Sequence, residues 1–416
     1  MTGASQRFSS FFWRWAFLFF TLYVVTLPFD YYLFSPIFDV ISIPFRRLAE
    51  FTGNLFFGVN LIGAGKFYSD SLIVYVHLFN IVLISFPASA AWTFFAKQKF
   101  TETKLYPLLF TVLRYFVAFN LLVYGFSKLY KWQFMLPEPN LLYTNVGDMH
   151  RDILYWTSMG TSRSYSVFMG LVEIIPAILL LFRRTTLPGA FAAVLVMSNV
   201  VAVNFGFDIT VKLHSMALLL MSIVILTPGR KRMAALFTGK SADEFIYPTL
   251  KIFPTRKWIL PSIKIAVILL LLAEAHYPYT ITGTFNDDTA ERPPMHGAYE
   301  VIDVHTKSFE NDSLTKVDLR DELLKRVFIN RRGYIIFEHV NGTMTDMPLT
   351  IDTTDHRFLL QRDDVDDLHD WIGYEKVNDS TYTFTDASGR RIYTMRKLTL
   401  EKLPLLEEEF TWIDED

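Results

Sequence analysis

A stripe of polar side chains runs along the apolar stretch Arg114–Phe134. Asn120, Tyr124 and Lys128 are spaced four residues apart, so on an α-helix they share one face. Polar groups inside a bilayer are costly and normally face other protein or a wet cavity. An amide, a phenol and an ammonium on one face can hydrogen-bond a polar headgroup. This stripe is therefore the first candidate for a ligand pocket.

Glu173 lies in the next apolar stretch. A carboxylate in that setting indicates a functional site by default, where it could exchange a proton or bind a headgroup such as a quinone carbonyl. The alternative is a protonated or Asn120-paired group that fixes how two helices align, since polar contacts between membrane helices are common. Helical rise places Glu173 and Asn120 at similar depths, about 14–15 Å below the outer ends of their spans.

Further polar residues complete the candidate pocket, and they lie in or beside the following apolar stretches: Asn199, Asn204, Asp208, Lys212 and His214. Asp208 and Lys212 are four residues apart across a turn, so a local ion pair explains them without a ligand. His214 could donate a proton or a hydrogen bond, or it could be a satisfied core histidine. Arg114, on the inner side, is expected to snorkel to the cytoplasmic headgroups.

No metal site is predicted. The chain contains no cysteine, which excludes disulfides, thiolate nucleophiles and Cys-ligated zinc or iron–sulfur centres. Glu274 and His276 are two residues apart, so on a helix they point about 200° apart and do not share a metal. The acidic run 362–370 lacks the Gly and distal Glu of an EF-hand loop, which favours a solvated turn over a calcium site. No basic patch with interleaved aromatics indicates a nucleic-acid partner.

The elements that must position these residues are membrane helices. The 416-residue chain is 51% hydrophobic and 16% aromatic, with a mean hydropathy of +0.25. This composition is too apolar for a soluble domain of this length. The segment 30–69 is predicted to be a partly helical loop at the membrane interface. Stretches long enough to span a bilayer lie at 11–29, 71–95, 106–130, 164–182, 187–206, 211–227 and 258–278.

Charge divides the chain near residue 280. Residues 1–280 carry 24 Lys and Arg against 13 Asp and Glu, whereas residues 281–416 carry 16 against 29. The N-terminus and the loops on its side of the membrane hold thirteen Lys and Arg, and the opposite loops hold eight. The positive-inside bias therefore predicts a cytoplasmic N-terminus. Seven spans then place the acidic C-terminal part outside the cytoplasm.

A different pattern begins at about residue 295. Short β-branched and aromatic segments such as AYEVIDVHT and STYTFTD alternate with NG, SG and Asp-rich turns. This pattern predicts an antiparallel meander that closes toward a small barrel or sandwich. One short helix is expected at Asp318–Arg326, and Glu291–Pro294 is expected to be the linker. The predicted fold is thus an all-α membrane bundle followed by a small antiparallel β domain.

Several stretches resemble the DoxX-like family of small membrane bundles: RYFVAFNLLVYGFSKLYKWQF, GLVEIIPAILLLFRRTTLPGA and SNVVAVNFGFDITVKLHSMALLL. The turn GAGKFYSDSLIVY and the ending KLPLLEEEFTWI are similar to the long Bacteroidetes-type form of that family. The resemblance implies a two-span segment with its interfacial loop at 1–105, a four-helix DoxX-like core at 106–228, a cytoplasmic loop and seventh span at 229–280, and an extracytoplasmic β-rich domain at 281–416. It also implies a bacterial inner (cytoplasmic) membrane.

Two functions follow as hypotheses. Because some DoxX-like proteins are associated with thiosulfate:quinone oxidoreductase, the resemblance implies a quinone- or lipid-linked membrane component, with the candidate residues lining an outward-facing polar pocket. The alternative is a non-enzymatic membrane scaffold or envelope factor that holds a membrane or extracytoplasmic protein partner through its β domain. The missing cysteines and the lack of a metal motif favour the alternative somewhat. The lipid bilayer is a partner under both hypotheses.

Overall fold

The chain folds into two compact units. A computed structural model describes residues 3–27, 32–95, 105–241, 247, 258–282, 286–307, 314–317, 323–361 and 369–407. The helical unit comprises Met1–Phe134 and Ser162–Asp287, and the barrel unit comprises Met135–Thr161 and Asp288–Asp416. The barrel unit thus includes a segment that lies, in sequence, between two helices of the helical unit.

The α-helices of the described residues are, in chain order, α1 (Gly3–Thr26), α2 (Ser35–Phe57), α3 (Leu72–Phe95), α4 (Tyr106–Leu129), α5 (Pro139–Tyr143), α6 (Arg151–Gly160), α7 (Arg163–Leu181), α8 (Thr186–Gly206), α9 (Lys212–Leu226), α10 (Arg230–Thr238) and α11 (Ile259–Ile281). Helices α5 and α6 belong to the barrel unit, and the others belong to the helical unit.

Six helices of the described residues are long and apolar enough to cross a membrane. They are α3, α4, α7, α8, α11 and the continuous stretch Lys212–Thr238, which contains α9 and α10. The chain is therefore a multi-pass membrane protein. The first predicted span corresponds to α1, whose apolar part Ser10–Thr26 is shorter than these helices. The total of seven spans stays a prediction.

The segment 30–69 is partly helical, as predicted from the sequence. It contains α2, a regular helix of 23 residues that continues through Pro44. The helix ends at Gly58, which has a φ of 65° and donates its N–H to the Asn54 carbonyl. A left-handed glycine at this position is a common helix stop. The location of α2 at the membrane interface stays a prediction.

Helix α4 is the central helix of the helical unit. In its most apolar window 67% of the residues are buried by other parts of the protein, compared with 11% for α11. Buried residues lie on every side of α4 and include Leu113, Val117, Leu121 and Lys128. A membrane helix that is covered all round by protein can carry polar side chains on any face, because none of them meets lipid.

Helices α4 and α7 cross at two glycines. A Cβ atom added to Gly125 would lie 2.8 Å from the Gly170 carbonyl oxygen, and one added to Gly170 would lie 2.8 Å from the Gly125 carbonyl oxygen. Real Cβ atoms essentially never approach a carbonyl this closely. Small residues let membrane helices pack backbone to backbone. This crossing brings the side chains of α4 and α7 within hydrogen-bonding reach of each other.

Arg114 does not snorkel to the headgroups as expected from the sequence. It is 5% exposed, and its guanidinium donates hydrogen bonds to the Leu180 carbonyl at 3.0 Å and the Leu181 carbonyl at 3.3 Å. The last carbonyls of a helix lack intrahelical donors, so Arg114 caps the C-terminal end of α7. The guanidinium turns inward because it donates hydrogen bonds to these two carbonyls from the neighbouring helix.

The strands of the barrel unit are β1 (Gly297–Lys307), β2 (Leu314–Lys316), β3 (Leu324–Asn330), β4 (Tyr334–His339), β5 (Met344–Asp352), β6 (Arg357–Gln361), β7 (His369–Lys376), β8 (Thr381–Thr385) and β9 (Arg391–Leu398). Strands β3 to β9 pair antiparallel in sequence order, and β1 pairs with both β3 and β9. The eight strands β1 and β3–β9 thus form a closed barrel. Strand β2 adds to the distal part of β1.

Side chains fill the interior of the barrel. Its buried core includes Tyr299, Ile329, Phe358, Phe384 and Met395. An eight-stranded barrel is just wide enough for side chains to fill it or to hold one small ligand. The predicted antiparallel β domain is therefore confirmed, and it is an up-and-down barrel.

The helix predicted at Asp318–Arg326 is wrong for the residues that the structure describes. Leu324, Lys325 and Arg326 begin strand β3, and residues 318–322 lie outside the described part of the chain. Helix propensity is a weak preference that tertiary pairing overrides. Here β3 pairs with β1 on one side and with β4 on the other, and this pairing is needed to close the barrel. Most of the acidic run 362–370 also lies outside the described residues, and β7 begins at His369.

The segment Met135–Thr161 is held against the barrel by an ionic cluster. The Arg331 guanidinium lies 2.8 Å from Glu138 and donates a hydrogen bond of 2.6 Å to the Leu136 carbonyl. His296 Nε2 lies 3.7 Å from the Glu138 carboxylate. Beside this cluster, the Tyr143 ring stacks on Phe328 of β3. Helix α5 therefore covers part of the outer wall of the barrel.

This cluster predicts a loss of stability in acid. Burial alone raises the pKa of Glu138, but the His296 ring and the Arg331 charge outweigh it and hold that pKa below its usual 4.5. A depressed carboxyl pKa stabilises the fold above the unfolded-state pKa, and the stabilisation is lost as pH falls through the folded-state pKa. We expect the stability of the barrel unit to fall below about pH 4.5 less steeply in Glu138→Gln than in the natural protein.

The measurement is thermal unfolding followed by the β-sheet circular dichroism signal across a pH series. At neutral pH we expect Glu138→Gln to lose about 1–3 kcal/mol, because Arg331 then keeps a weaker, uncharged acceptor. Parallel pH profiles for the two proteins would contradict the assignment of the acid loss to Glu138.

Candidate functional site

A buried ion pair joins α4 to α7. Lys128 Nζ lies 2.9 Å and 2.7 Å from the two carboxylate oxygens of Glu173. Lys128 is 5% exposed and Glu173 is 0% exposed. The Ser166 hydroxyl donates a hydrogen bond of 2.7 Å to the Lys128 carbonyl and so fixes the backbone at this level. The pair lies beside the glycine crossing, which explains why a side chain of α4 reaches α7 here.

Two aromatic rings flank the Lys128 ammonium. Its Nζ lies 5.5 Å from the ring centroid of Tyr124, one turn earlier on α4, and 5.5 Å from that of Phe134. The face of an aromatic ring attracts a cation at this range, more strongly when water is excluded. The ammonium is therefore surrounded by one carboxylate and two ring faces. This arrangement holds a charged lysine inside an apolar unit.

A second polar chain lies nearer the N-terminal end of α4. His214 Nε2 lies 2.9 Å from Asn120 Oδ1, and His214 Nδ1 lies 3.2 Å from the Tyr23 hydroxyl. The Asn120 amide donates to the Phe116 carbonyl at 2.9 Å, so its Oδ1 is the end that accepts from His214. In this assignment Nε2 carries the imidazole hydrogen and Nδ1 accepts from Tyr23. Three helices, α1, α4 and α9, are thus joined by uncharged hydrogen bonds.

Tyr124 connects the ion pair to the histidine chain. The ring of Tyr124 lies edge-on to His214 with centroids 6.5 Å apart, and its face is turned toward Lys128. The structure therefore brings five of the nine candidate residues into one cluster, which we call the α4 polar column: Asn120, Tyr124, Lys128, Glu173 and His214. Glu173 pairs with Lys128 and not with Asn120, because the lysine side chain reaches across the glycine crossing.

The other four candidates lie apart from the α4 polar column. Asp208 and Lys212 form an ion pair of 2.7 Å, with the Asp208 side chain 79% exposed. Asn204 donates to the Ser215 hydroxyl at 3.0 Å and ties α8 to α9. Asn199 is exposed on the outside of α8. Each of the three paired residues has a local partner, so no ligand is needed to explain them.

Sequence reasoning missed residues that support the Lys128–Glu173 ion pair and the hydrogen-bond chain of His214. Ser166 and Phe134 support Lys128, and Tyr23 supports His214. Asp70 accepts hydrogen bonds from the backbone N–H groups of Lys212 and Leu213 at 2.8 Å and 3.1 Å, and so caps the start of α9. An aspartate that precedes a helix is a familiar capping signal, but Asp70 caps a helix that is remote in sequence. No local pattern could reveal that contact.

Glu274 and His276 have separate partners. The Glu274 carboxylate accepts hydrogen bonds from the backbone N–H groups of Tyr32 and Leu33. His276 Nε2 lies 3.1 Å from the Tyr130 hydroxyl. Within the residues that the structure describes, no group of three or more His, Asp or Glu side chains could hold a metal ion. The α4 polar column brings together an ammonium, a carboxylate, a phenol and a neutral imidazole.

Comparison with known proteins identifies a relative. No protein-family model and no solved structure matches the chain. A Bacillus subtilis (strain 168) protein described as uncharacterized protein YwoB is 33% identical over 130 residues. That match covers 31% of this chain and 82% of the Bacillus protein. Identity at this level over most of the shorter protein indicates common descent. Over about a third of its length, this chain belongs to the same family as the uncharacterized protein YwoB of Bacillus subtilis.

Proposed function

We propose that this protein is a membrane component that binds the polar headgroup of a quinone or a membrane lipid at the α4 polar column. The observation that supports this proposal is the Lys128–Glu173 pair inside the apolar helical unit. Removing two charges from water costs several kcal/mol per ion even after relaxation. Ionisable residues at such positions in membrane helices commonly mark ligand or proton pathways.

The chemistry of the pair favours a ligand with an acceptor oxygen. A lysine ammonium has three N–H donors, and two of them are directed to the Glu173 oxygens. In this proposal the third donor bonds a quinone carbonyl or a lipid phosphate oxygen. The Tyr124 and Phe134 rings beside it provide apolar surface for the attached hydrocarbon. The resemblance to the DoxX-like family is the reason for including quinones among the candidate ligands.

The membrane and its orientation form part of the proposal. The excess of Lys and Arg on the N-terminal side supports a cytoplasmic N-terminus in a bacterial inner membrane. In that orientation the barrel unit faces the extracytoplasmic space. A reporter fused after the C-terminal residue, active only outside the cytoplasm, tests this arrangement.

The binding proposal predicts a ligand that depends on Glu173 and Lys128. We expect lipid extracts of the purified protein, analysed by mass spectrometry, to contain one quinone or lipid species at near-stoichiometric amount. Glu173→Gln and Lys128→Gln should reduce that species by roughly tenfold, which corresponds to the loss of one charge-assisted contact. A quinone and a phospholipid differ in mass, so the same spectrum distinguishes the two sources.

Asp208→Asn is the matched control. It removes the carboxylate of another lysine–carboxylate pair, Lys212 with Asp208, but this pair is exposed at the turn before α9. We expect its lipid extract to equal that of the natural protein. Equal amounts of the bound species in all four proteins would contradict a headgroup site at Lys128 and Glu173.

A second candidate function is a non-enzymatic envelope factor that binds its partner through the barrel unit. The observation that favours it is the filled interior of the barrel together with outward-facing polar side chains, such as Tyr334 and Asp346, that have no side-chain partner in the described part of the chain. This function requires no ligand at the α4 polar column. Glu173→Gln would then alter stability alone, and the species in the lipid extract would not change.

A further inference from the structure

A groove lies on the outer wall of the barrel, beside helix α5. It has a volume of about 330 Å³ and is lined by Asn140, Asn330, Tyr334, Ile336, Met344 and Asp346. The strand register explains why these side chains meet. Tyr334 lies opposite Asn330, Ile336 lies opposite Asp346, and alternate residues of a strand face the same side. The lining residues of β3, β4 and β5 therefore all point outward.

The groove has an apolar floor and an aromatic wall. Ile336 is 7% exposed, and the Met344 sulfur lies 3.8 Å from the Thr144 hydroxyl, which holds it in place. Tyr334 is 41% exposed, although exposed aromatic side chains are otherwise uncommon on the described part of the barrel. A tyrosine at a rim presents a flat apolar face together with a polar hydroxyl.

Several polar groups of the groove can still donate or accept a hydrogen bond. Some other carboxylates on the barrel wall are paired, as in Glu338 with Lys325 and Glu300 with Arg396. Asp346 and the Tyr334 hydroxyl have no side-chain partner among the residues that the structure describes. The Asn330 amide donates to Asn140 Oδ1 at 3.1 Å, which leaves the Asn140 amide N–H groups free to donate. Free donors and free acceptors therefore line the same groove.

This combination selects against anionic ligands and against purely apolar ligands. An anion would meet the Asp346 carboxylate without a cation in the lining to balance it. A purely apolar ligand would remove the asparagine amides and Asp346 from water without replacing their hydrogen bonds, which is costly. A sugar has hydroxyl groups that both donate and accept, together with a face of C–H groups that packs on an aromatic ring. We infer that this groove binds a neutral carbohydrate, with Tyr334 stacking on a sugar ring and Asp346, Asn140 and Asn330 bonding its hydroxyls.

The dimensions and placement agree with this inference. The volume is at the lower end for small-molecule pockets and suits a ligand of about one or two sugar rings. The groove is shallow, so it fits part of a longer glycan whose remaining rings extend into solvent. The inference goes beyond the proposed headgroup site, because it concerns another unit of the chain and involves none of the α4 polar column.

The test is sugar binding by the full chain in lipid nanodiscs prepared without a sugar-based detergent. The probes are the β1,4-linked disaccharides of N-acetylglucosamine and of glucose, and maltose, each measured by saturation-transfer NMR. We expect at least one probe to receive saturation from the protein. Tyr334→Ala should weaken its binding about tenfold, whereas Tyr334→Phe, which keeps the ring, should bind nearly as well.

Variants of Asp346 separate hydrogen bonding from charge. Asp346→Asn keeps a hydrogen-bond acceptor and should retain most sugar binding, whereas Asp346→Ala should weaken it severalfold. Val377→Ala removes exposed apolar surface at the β7–β8 turn and should have no effect. Circular dichroism of each variant establishes that the barrel is folded.

Three results would overturn the inference. The first is the absence of saturation transfer to all three disaccharides. The second is equal binding by the natural protein and by folded Tyr334→Ala. The third is binding of the cation spermidine, without sugar binding, that is lost in Asp346→Asn, since this would assign the groove to a positively charged ligand. None of these results bears on the lipid extracts, so the two proposals can fail separately.

Discussion

Replacing Lys128 by methionine is expected to destabilise the helical unit by about 3–5 kcal/mol. The substitution leaves the fully buried Glu173 carboxylate without its ammonium partner, and an uncompensated buried charge has a cost of this size. The measurement is unfolding in increasing SDS, followed by the helical circular dichroism signal. Methionine has a similar length to the lysine stem, so the loss reports the charge and not a cavity.

The double variant Lys128→Met with Glu173→Met isolates the pair. Buried ion pairs replaced by apolar residues of similar volume are often neutral or stabilising. We therefore expect the double variant to recover most of the stability that Lys128→Met loses, with a coupling energy of about 2–3 kcal/mol. Asp208→Asn, in the exposed pair, should cost less than about 1 kcal/mol. If Lys128→Met costs no more than Asp208→Asn, then Glu173 is not held as a buried carboxylate.

Replacing Gly170 by alanine is expected to cost about 1–3 kcal/mol of the stability of the helical unit. The new Cβ atom would lie 2.8 Å from the Gly125 carbonyl oxygen and 3.1 Å from the Leu129 backbone nitrogen. Both are backbone atoms of α4 and cannot rotate away, so the two helices must separate. The same SDS unfolding experiment measures the loss.

Gly206→Ala is the matched control for this substitution. Gly206 ends α8, and no atom outside its chain neighbours and the adjacent helix backbone lies within 4 Å of a Cβ added there. Alanine favours the helix by up to about 1 kcal/mol over glycine, so this variant should be as stable as the natural protein or more stable.

A separation of α4 and α7 should also weaken the Lys128–Glu173 contact, and Gly170→Ala should then lose the bound headgroup. Equal stability of the two glycine variants would contradict a backbone-to-backbone crossing.

The sequence predicted the secondary structure of the helical unit well because the signal is strong there. A stretch of about 20 apolar residues can satisfy its backbone in a membrane only as a helix. The predicted spans 71–95, 106–130 and 187–206 therefore match α3, α4 and α8 to within a residue. A weaker signal gave a wrong result, because Leu324–Arg326 was assigned to a helix although it lies in β3.

The candidate site shows where sequence reasoning ends. The four-residue spacing predicted that Asn120, Tyr124 and Lys128 share a face of α4, and the structure places them in one polar column. Glu173 and His214 were also among the candidates. Their partners were not predictable, because a helical wheel gives the direction of a side chain but not the helix that it meets. Helix α4 is buried on all sides, so its polar residues contact both α7 and α9.

By itself, the sequence determined that this chain forms apolar membrane helices followed by an antiparallel β domain. These are local consequences of hydrophobic length and of alternation with a period of two residues. Only the tertiary structure decided that Glu173 pairs with Lys128, that Arg114 caps α7, and that β1 meets β9 to close a barrel. Each of these contacts joins residues far apart in the chain, and each depends on how closely two elements approach. Two glycines set that distance for α4 and α7, and strand pairing sets it for the barrel.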